Sequence, residues 1–332
     1  MNKALFAILP LVAIVAISGC VQEQATTPTG NGMVITDFSS SLDTVSGGNK
    51  TVTIYLEAEN MGGDTITKAT GCLIGSNMGD DYQNGLWQFS KDVEGRPVCQ
   101  GLETDETLRP ADLANSIPGG TLKSRWYLKS PCLAETLSRT DSFTGRVFYE
   151  YDTIASTSIW VYTETELAAA NQRGESIPSS LVVESTKGPV AISIDAVQPV
   201  RAEDGTVTLK ITISNVGNGV VFDKEASIGG DGTSVPSLSE SDLNTFTAAF
   251  TVSGDIAEDV DCEIELTEIE LRKGASVTKT CDIEIDEDKI SAKNSFPITI
   301  EATYGYYIDS ELSVQSSGKR NDDACEETET TE

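Results

Sequence analysis

The 332-residue chain contains no histidine. Histidine is the usual general base in hydrolysis and acyl transfer and a frequent zinc ligand, so its absence removes the commonest means of both. The chain also lacks a nucleophile elbow, a phosphate-binding loop and a pair of carboxylates at an identifying spacing. The sequence therefore predicts a protein that is not an enzyme, with no catalytic, cofactor-binding or metal-binding residues.

Basic residues are scarce: 23 Lys and Arg stand against 52 Asp and Glu, a formal net charge of −29. Nucleic acid is excluded as a partner, because binding a phosphate backbone requires cations that displace its counterions. Acidic side chains cluster at residues 80–81, 255–261 and 282–288. None of these clusters has the Asp-x-Asp-x-Asp-Gly order of a calcium loop, which favours solvated surfaces and leaves calcium binding an open question.

The N-terminus has the three parts of a secretory signal. Lys3 precedes an apolar run from Ala4 to Ile17, and small residues then lead to Cys20. The sequence Ile17-Ser18-Gly19-Cys20 resembles the lipobox of prokaryotic lipoproteins, which implies cleavage before Cys20 and lipidation of its thiol. The alternative is an uncleaved anchor helix. Both place the rest of the chain on the extracellular face of the cell membrane.

Two segments alternate strictly between apolar and polar residues, which predicts half-buried strands. Their apolar positions are Val52, Ile54, Leu56 and Ala58 in one segment and Val207, Leu209, Ile211 and Ile213 in the other. Both end in Asn-x-Gly, at Asn60 and at Asn215, 155 positions later. Residues 147–161 and 300–314 also align without a gap, with Tyr151 on Tyr304. We infer a tandem repeat.

Each half contains about seven short apolar segments separated by Gly, Pro, Asn and Asp, which predicts an all-β protein of two tandem immunoglobulin-like β-sandwiches after the N-terminal signal or anchor helix. One short helix is expected over residues 164–172, with Thr163 as N-cap and Gly174 as its end. The predicted units are a signal at 1–20, a flexible tether at 21–32, sandwiches at 33–163 and 189–317 joined by a helix and linker at 164–188, and a disordered acidic tail at 318–332.

The start of the second half resembles a known family. Residues 190–222 combine an opening strand, Pro199, an acidic turn with glycine, a Thr-Val-Thr-Leu strand and the sequence Asn-Val-Gly-Asn-Gly. This segment resembles the CARDB-type immunoglobulin-like domains of prokaryotic surface proteins, and the first half matches through residues 59–63. The resemblance implies adhesive or spacer modules without catalytic residues.

The six cysteines after Cys20 show no CxxC spacing, so disulfides are expected in an exported chain. Cys262 and Cys281 each lie an even number of positions from apolar residues of their own predicted strand. Both side chains should therefore face the same core, and the two cysteines are predicted to pair. Cys99 and Cys132 occupy the corresponding stretch of the first half and are predicted to pair in the same way. This leaves Cys72 and Cys325, which could pair with each other. The rival pairing is Cys72–Cys99.

Exposed aromatic residues would indicate a sugar-stacking or protein-binding surface. Trp126 lies in an alternating strand and is expected in the core, whereas Trp87, in the loop-like region 75–97, is expected to be the exposed tryptophan. Asn49-Lys50-Thr51 is a glycosylation sequon in an expected hairpin turn, either occupied by a surface glycan or present by chance.

These observations predict a lipid-anchored cell-surface protein, adhesive or structural, from a prokaryote; the acidic, histidine-free composition favours an archaeon. Its expected partners are the membrane, through the N-terminal lipid, and other envelope proteins or surface glycans. The alternative function is that of an accessory subunit of a transporter, secretion machine or surface filament. An exposed apolar patch would favour the subunit.

Overall fold

A computed structural model describes residues 32–80, 82–90, 98–103, 105–112, 114–226, 234–262, 269–320, 322 and 325. Over these residues the protein is predominantly β, which confirms the all-β prediction. The predicted signal, Cys20 and all of the tether except Gly32 lie outside them. No helix in the described ranges is long and apolar enough to cross a membrane.

The first half contains eight strands: β1 (Met33–Ser40), β2 (Thr44–Ser46), β3 (Thr51–Asn60), β4 (Ala69–Gly75), β5 (Gln88–Phe89), β6 (Cys99–Gly101), β7 (Thr121–Lys129) and β8 (Ser138–Tyr162). Helix α1 (Glu164–Arg173) follows. The second half contains β9 (Glu184–Ser185), β10 (Val190–Ala196), β11 (Val200–Arg201), β12 (Thr206–Asn215), β13 (Val220–Phe222), β14 (Thr245–Val252), β15 (Ala257–Cys262), β16 (Ile269–Glu270), β17 (Ser276–Ile285) and β18 (Lys293–Ser317). Short 3-10 helices occupy Tyr82–Asn84, Ala202–Asp204 and Glu287–Lys289.

Local sequence explains the elements that position the rest. The alternating apolar residues of β3 and β12 are buried and the residues between them are more exposed, as the period of two predicts. Helix α1 begins where the Thr163 hydroxyl accepts a hydrogen bond from the Glu166 amide, at 3.3 Å, and ends at Gly174, whose φ of 71° suits glycine. The predicted strands and helix are confirmed at these positions.

The described residues form three sheets. Two have four strands each, in the orders β1-β3-β7-β5 and β10-β12-β17-β15. The third has ten strands and is organised around β8 and β18, which pair antiparallel over 25 residues without a register shift, from Tyr162–Lys293 to Ser138–Ser317. On both long strands, every second residue faces the four-stranded sheets, and most of these residues are buried. The core therefore lies as a layer between the ten-stranded sheet and the four-stranded sheets.

Each long strand serves both halves of the molecule. Residues 143–149 of β8 pair with β4 of the first half, whereas residues 150–162 pair with the beginning of β18. The end of β18, residues 306–317, returns to the first half, where it pairs with the beginning of β8 and with β2. The boundaries 33–163 and 189–317 therefore do not enclose two separate sandwiches, because each half completes its sheet with a strand segment from the other.

The halves are related by an internal pseudo-twofold axis. Asn60 and Asn215 form the same turn: each side-chain oxygen accepts from the amide two residues later, and each side-chain amide donates to the carbonyl four residues later. The amides of Asp64 and Gly219, again 155 apart, donate to Tyr151 and Tyr306 respectively. The equivalent of Tyr151 is thus Tyr306, and the expected superposition on Tyr304 is wrong by two residues.

Four tyrosines surround this axis on the buried face of the long strands. Tyr149 lies opposite Tyr306 and Tyr151 opposite Tyr304, with ring centroids 5.6 and 6.1 Å apart. The Tyr151 hydroxyl donates to the carbonyl of Lys187, and that of Tyr304 contacts the Thr153 hydroxyl at 2.8 Å. This tyrosine quartet joins both halves and the linker between them.

The tyrosine quartet should make the protein sensitive to alkali. Burial raises the pKa of Tyr151 and of Tyr306 to about 12, and raises the pKa of Tyr149 and of Tyr304 well above its ordinary value of 10.0. Because the folded state favours the protonated phenols, stability should fall as pH rises from about 10 through about 12. Ultraviolet titration should show these four rings ionising last, together with unfolding. Ionisation of all nine tyrosines near pH 10 with the fold intact would contradict the burial.

The structure confirms one predicted disulfide. Cys262 and Cys281 lie directly opposite each other on β15 and β17, with Cα atoms 4.1 Å apart, and are bonded. They join neighbouring strands of one sheet, so the bridge fixes a sheet edge.

The other two predicted pairings are wrong. Cys72 bonds to Cys99, its rival partner, because β4 and β6 are adjacent and place these residues opposite each other. Cys132 bonds to Cys325, not to Cys99, and Cys325 is therefore not the partner of Cys72. The repeat could not predict this bridge, because the returning end of β18 carries the C-terminal segment back onto the first half.

The Cys132–Cys325 disulfide also corrects the expectation of a disordered tail at these positions. Cys325 is bridged over a separation of 193 residues, and the Asp322 carboxylate accepts a hydrogen bond from the Gly48 amide at 2.6 Å. A loop of this length corresponds to about 5 kcal/mol of stabilisation in the chain-entropy model. Residues 321, 323–324 and 326–332 lie outside the described part of the chain.

Candidate functional site: the Trp160 cleft

The exposed tryptophan is Trp160, on β8, with 37% of its surface accessible. Trp87 and Trp126 are fully buried, so the prediction for Trp126 is confirmed and that for Trp87 is wrong. The Trp87 indole donates to the Asp141 carboxylate at 2.7 Å and packs edge to face on Phe143 at 5.4 Å. The loop that carries Trp87 is therefore folded into the core.

Strand parity places Trp160 at the surface. Ile159 and Val161 on either side of it face the core, so its side chain emerges on the opposite face of the ten-stranded sheet. Ser156 and Ser158 line the cleft from the same strand, and Pro297 lies directly across from Ser158 on β18. These residues form the strand side of the cleft, which we name the Trp160 cleft.

The linker and the loop after β10 form the other side of the Trp160 cleft. The linker contributes Pro178, Ser180, Leu181, Val182 and Glu184, and the loop contributes Gln198. The linker is attached to β8 by the β9 pairing, Ser156 with Glu184, and by a hydrogen bond of 2.8 Å from the Thr157 hydroxyl to the Val182 carbonyl. The cleft has a volume of about 390 Å³, within the range of small-molecule sites.

One polar group of the Trp160 cleft has an unmet hydrogen bond. The side-chain Nε2 of Gln198 is buried and has no partner among the described residues. A buried donor without an acceptor costs roughly 1–3 kcal/mol, so a ligand or water that accepts from it is favoured. Val200, two residues later, pairs with Val161 of β8, and this short strand anchors the loop beside the cleft.

Charge is distributed unevenly around Trp160. The Lys293 ammonium lies 4.4 Å from the centroid of the indole ring and 5.6 Å from that of Tyr162, within the range of a cation–π contact. Glu184 lines the cleft and is exposed. The site thus offers an aromatic surface, an amide donor, hydroxyls and a carboxylate, which can bind a polar ligand by stacking and hydrogen bonding.

The remaining predicted site residues lie elsewhere. Asn49 is half-buried in the turn between β2 and β3 with a φ of 56°, next to the Cys132–Cys325 bridge, and its glycosylation stays a prediction. Cys20 lies outside the described residues. Within those residues, no three histidine, cysteine, aspartate or glutamate side chains are arranged to hold a metal ion.

No protein-family model matches the chain, and no curated protein matches it.

Proposed function

We propose that the protein is a lipid-anchored cell-surface binding or structural protein, held to the outer face of the membrane through Cys20. The observation that carries this proposal is the pairing of cysteines. All six cysteines after Cys20 form disulfides, so Cys20, in the lipobox-like sequence, is left as the odd cysteine. Disulfides of this number are typical of exported proteins.

We further infer that each half is an immunoglobulin-like sandwich of the CARDB type whose last strand segment is exchanged. In such sandwiches one sheet has the strand order A-B-E-D and the other C-F-G. The order β1-β3-β7-β5 facing β4-β8-β18 supports this assignment in the first half, and β10-β12-β17-β15 facing β14-β18-β8 supports it in the second. The exchange would make a stiff two-module spacer.

The alternative is an accessory subunit of an envelope complex, such as a transporter, secretion machine or surface filament. It is supported by two exposed valines near the Trp160 cleft, Val182 at 78% and Val197 at 86% accessibility. If this surface binds a partner subunit, Val197→Glu should remove a stoichiometric partner from the protein purified out of its native membrane, while Leu42→Glu, at another exposed site, should not.

The anchoring prediction concerns Cys20. In the native host Cys20→Ser should leave unprocessed precursor without a lipid, because the thiol is the attachment atom of a lipobox cysteine. Detergent phase partition and mass spectrometry of the N-terminus measure this result. Cys325→Ser is the control, since it removes a thiol without affecting the lipobox. The same processed, detergent-phase product with and without the Cys20 thiol would contradict lipid anchoring.

A further inference from the structure

We propose that the Trp160 cleft is a binding site for a neutral saccharide, which stacks on the Trp160 indole and accepts a hydrogen bond from the Gln198 amide. This inference rests on the proposed function as a surface binding protein and specifies the class of its ligand.

The aromatic surface is the first argument. An exposed tryptophan beside a concave site is unusual in a protein whose other two tryptophans are fully buried. The face of an indole ring carries partial negative charge, and the C–H bonds on one face of a pyranose ring carry partial positive charge, so the two surfaces attract. Pro178 and Pro297 add further rigid apolar surface within the same cleft.

The polar groups are the second argument. A sugar presents several hydroxyls, each able to donate and to accept, around an apolar ring face. Gln198 lines the cleft and its Nε2 lacks an acceptor among the described residues, so a rotation of this side chain toward the cleft would let it donate to a sugar hydroxyl. Glu184 supplies an acceptor for another hydroxyl, and the hydroxyls of Ser156 and Ser158 can bond in either direction. This combination of one stacking surface and several short polar groups matches a sugar ring better than a peptide side chain.

Charge restricts the ligand to neutral sugars. Glu184 lines the cleft, and the whole chain carries a formal net charge of −29. An acidic sugar such as a uronate would be repelled by both, with the effect strongest at low ionic strength. The Lys293 ammonium lies over one face of the indole ring, so the sugar would stack on the other face, and its positive charge only partly offsets the negative charge around the cleft.

Trp160 is also the reporter for the experiment. Because Trp87 and Trp126 are fully buried, a soluble quencher such as acrylamide should act on the fluorescence of Trp160 in the folded protein. The full chain is titrated with methyl glycosides of glucose, galactose, mannose and N-acetylglucosamine, and with linear trisaccharides of the same sugars. Methyl glucuronide is the acidic counterpart. Calorimetry measures the affinity of each sugar that protects Trp160.

At least one neutral sugar is expected to protect Trp160 and to bind more tightly than methyl glucuronide. Trp160→Ala should weaken its binding by roughly tenfold or more, as the loss of an aromatic anchor does. Gln198→Leu should weaken it without lowering the melting temperature, and Trp160→Phe should retain part of it. The matched control is Ile154→Ala, on the same face of β8 with 42% exposure and outside the cleft, which should bind as the wild type does.

Failure of all the neutral sugars to protect Trp160 would overturn the saccharide proposal, as would binding that survives Trp160→Ala. The saccharide proposal would also be overturned if no sugar bound and a protein partner were recovered whose binding depends on Val197. That result would favour the accessory subunit. None of these outcomes affects the lipid on Cys20, so surface anchoring and the saccharide site fail or succeed separately.

Discussion

Neither half of the chain, produced alone as residues 33–163 or 189–317, should be a stable folded monomer. The second half would lack residues 150–162 of β8, which complete its sheet. The side chains of Tyr151, Ile159 and Val161 in this segment are buried in the core and would be lost with it. Each of these side chains contributes about 1.5–3 kcal/mol through burial, and a whole domain is stable by only about 5–15 kcal/mol. The loss is therefore comparable to the entire stability. Circular dichroism and light scattering after size exclusion measure folding and mass.

Mixing the two halves should restore folded protein as a one-to-one complex, since both exchanged segments then find their partners. The control is the same chain cut after folding, by a protease site inserted in the linker at residues 175–178. The cut protein should keep its fold, and its fragments should stay linked without reductant, because the Cys132–Cys325 disulfide joins the two halves. Monomeric halves with sharp, independent melting transitions would contradict the exchange.

The sequence contains a sign of this exchange. On β8 every second residue from Asp141 to Val161 is buried, and the residues between them are more exposed except Phe148, which packs in a second cluster on the opposite face. Strands of single domains usually have five or six residues, so the length alone indicates a strand shared by two units. Aligning β8 with β18 as repeats indicates that the two strands occupy equivalent positions in the two halves. The alignment does not indicate that they pair with each other, because a strand pairing between the halves cannot be read from the sequence of either half alone.

The exchange resembles the interface of a symmetric dimer built into one chain. In a twofold interface the same patch serves both partners, and here Glu150 and Gly305, 155 positions apart, lie opposite each other at the axis. The tandem repeat that we infer would thus place its two longest strands against their own equivalents. The Cys132–Cys325 disulfide joins the two halves near the Ser138–Ser317 end of the β8–β18 pair, which is the end farther from the linker.

The exposed surface could be predicted only in part. Trp160 lies between Ile159 and Val161, whose parity marks it as outward-facing, so alternation alone identifies it as the exposed tryptophan. The side of the cleft opposite the strands consists of linker residues and Gln198, which come together only through the pairings of β9 and β11 with β8. The burial of Trp87 is not indicated by its local sequence, because its partner, Asp141, lies 54 residues away on β8.

Asp141→Ala should be among the most destabilising single substitutions in the protein, by about 3–5 kcal/mol. The carboxylate is fully buried and accepts from the Trp87 indole at 2.7 Å, from the Asn77 amide at 2.6 Å and from the Arg139 guanidinium at 2.8 Å. Its removal leaves the buried indole N–H without an acceptor and takes away the ion pair of the Arg139 guanidinium, which then donates only to the Gly85 carbonyl among the contacts described. The loop that Trp87 anchors should then leave the core, which urea unfolding and a red shift of tryptophan emission measure.

The matched control is Asp309→Ala, which removes the carboxylate of another Arg–Asp pair, formed between Arg146 on β8 and Asp309 on β18. Arg146 binds Asp309 through two contacts of 2.7 Å, but on the outer face of the sheet, where 36% of the Asp309 side chain is accessible. Solvent screens that pair, so its loss should cost no more than about 1 kcal/mol. Equal effects of the two substitutions would mean that the Asp141 carboxylate does not hold the Trp87 loop. The Trp87 loop would then be held by its other contacts, such as the packing of Trp87 on Phe143 and the pairing of β5 with β7.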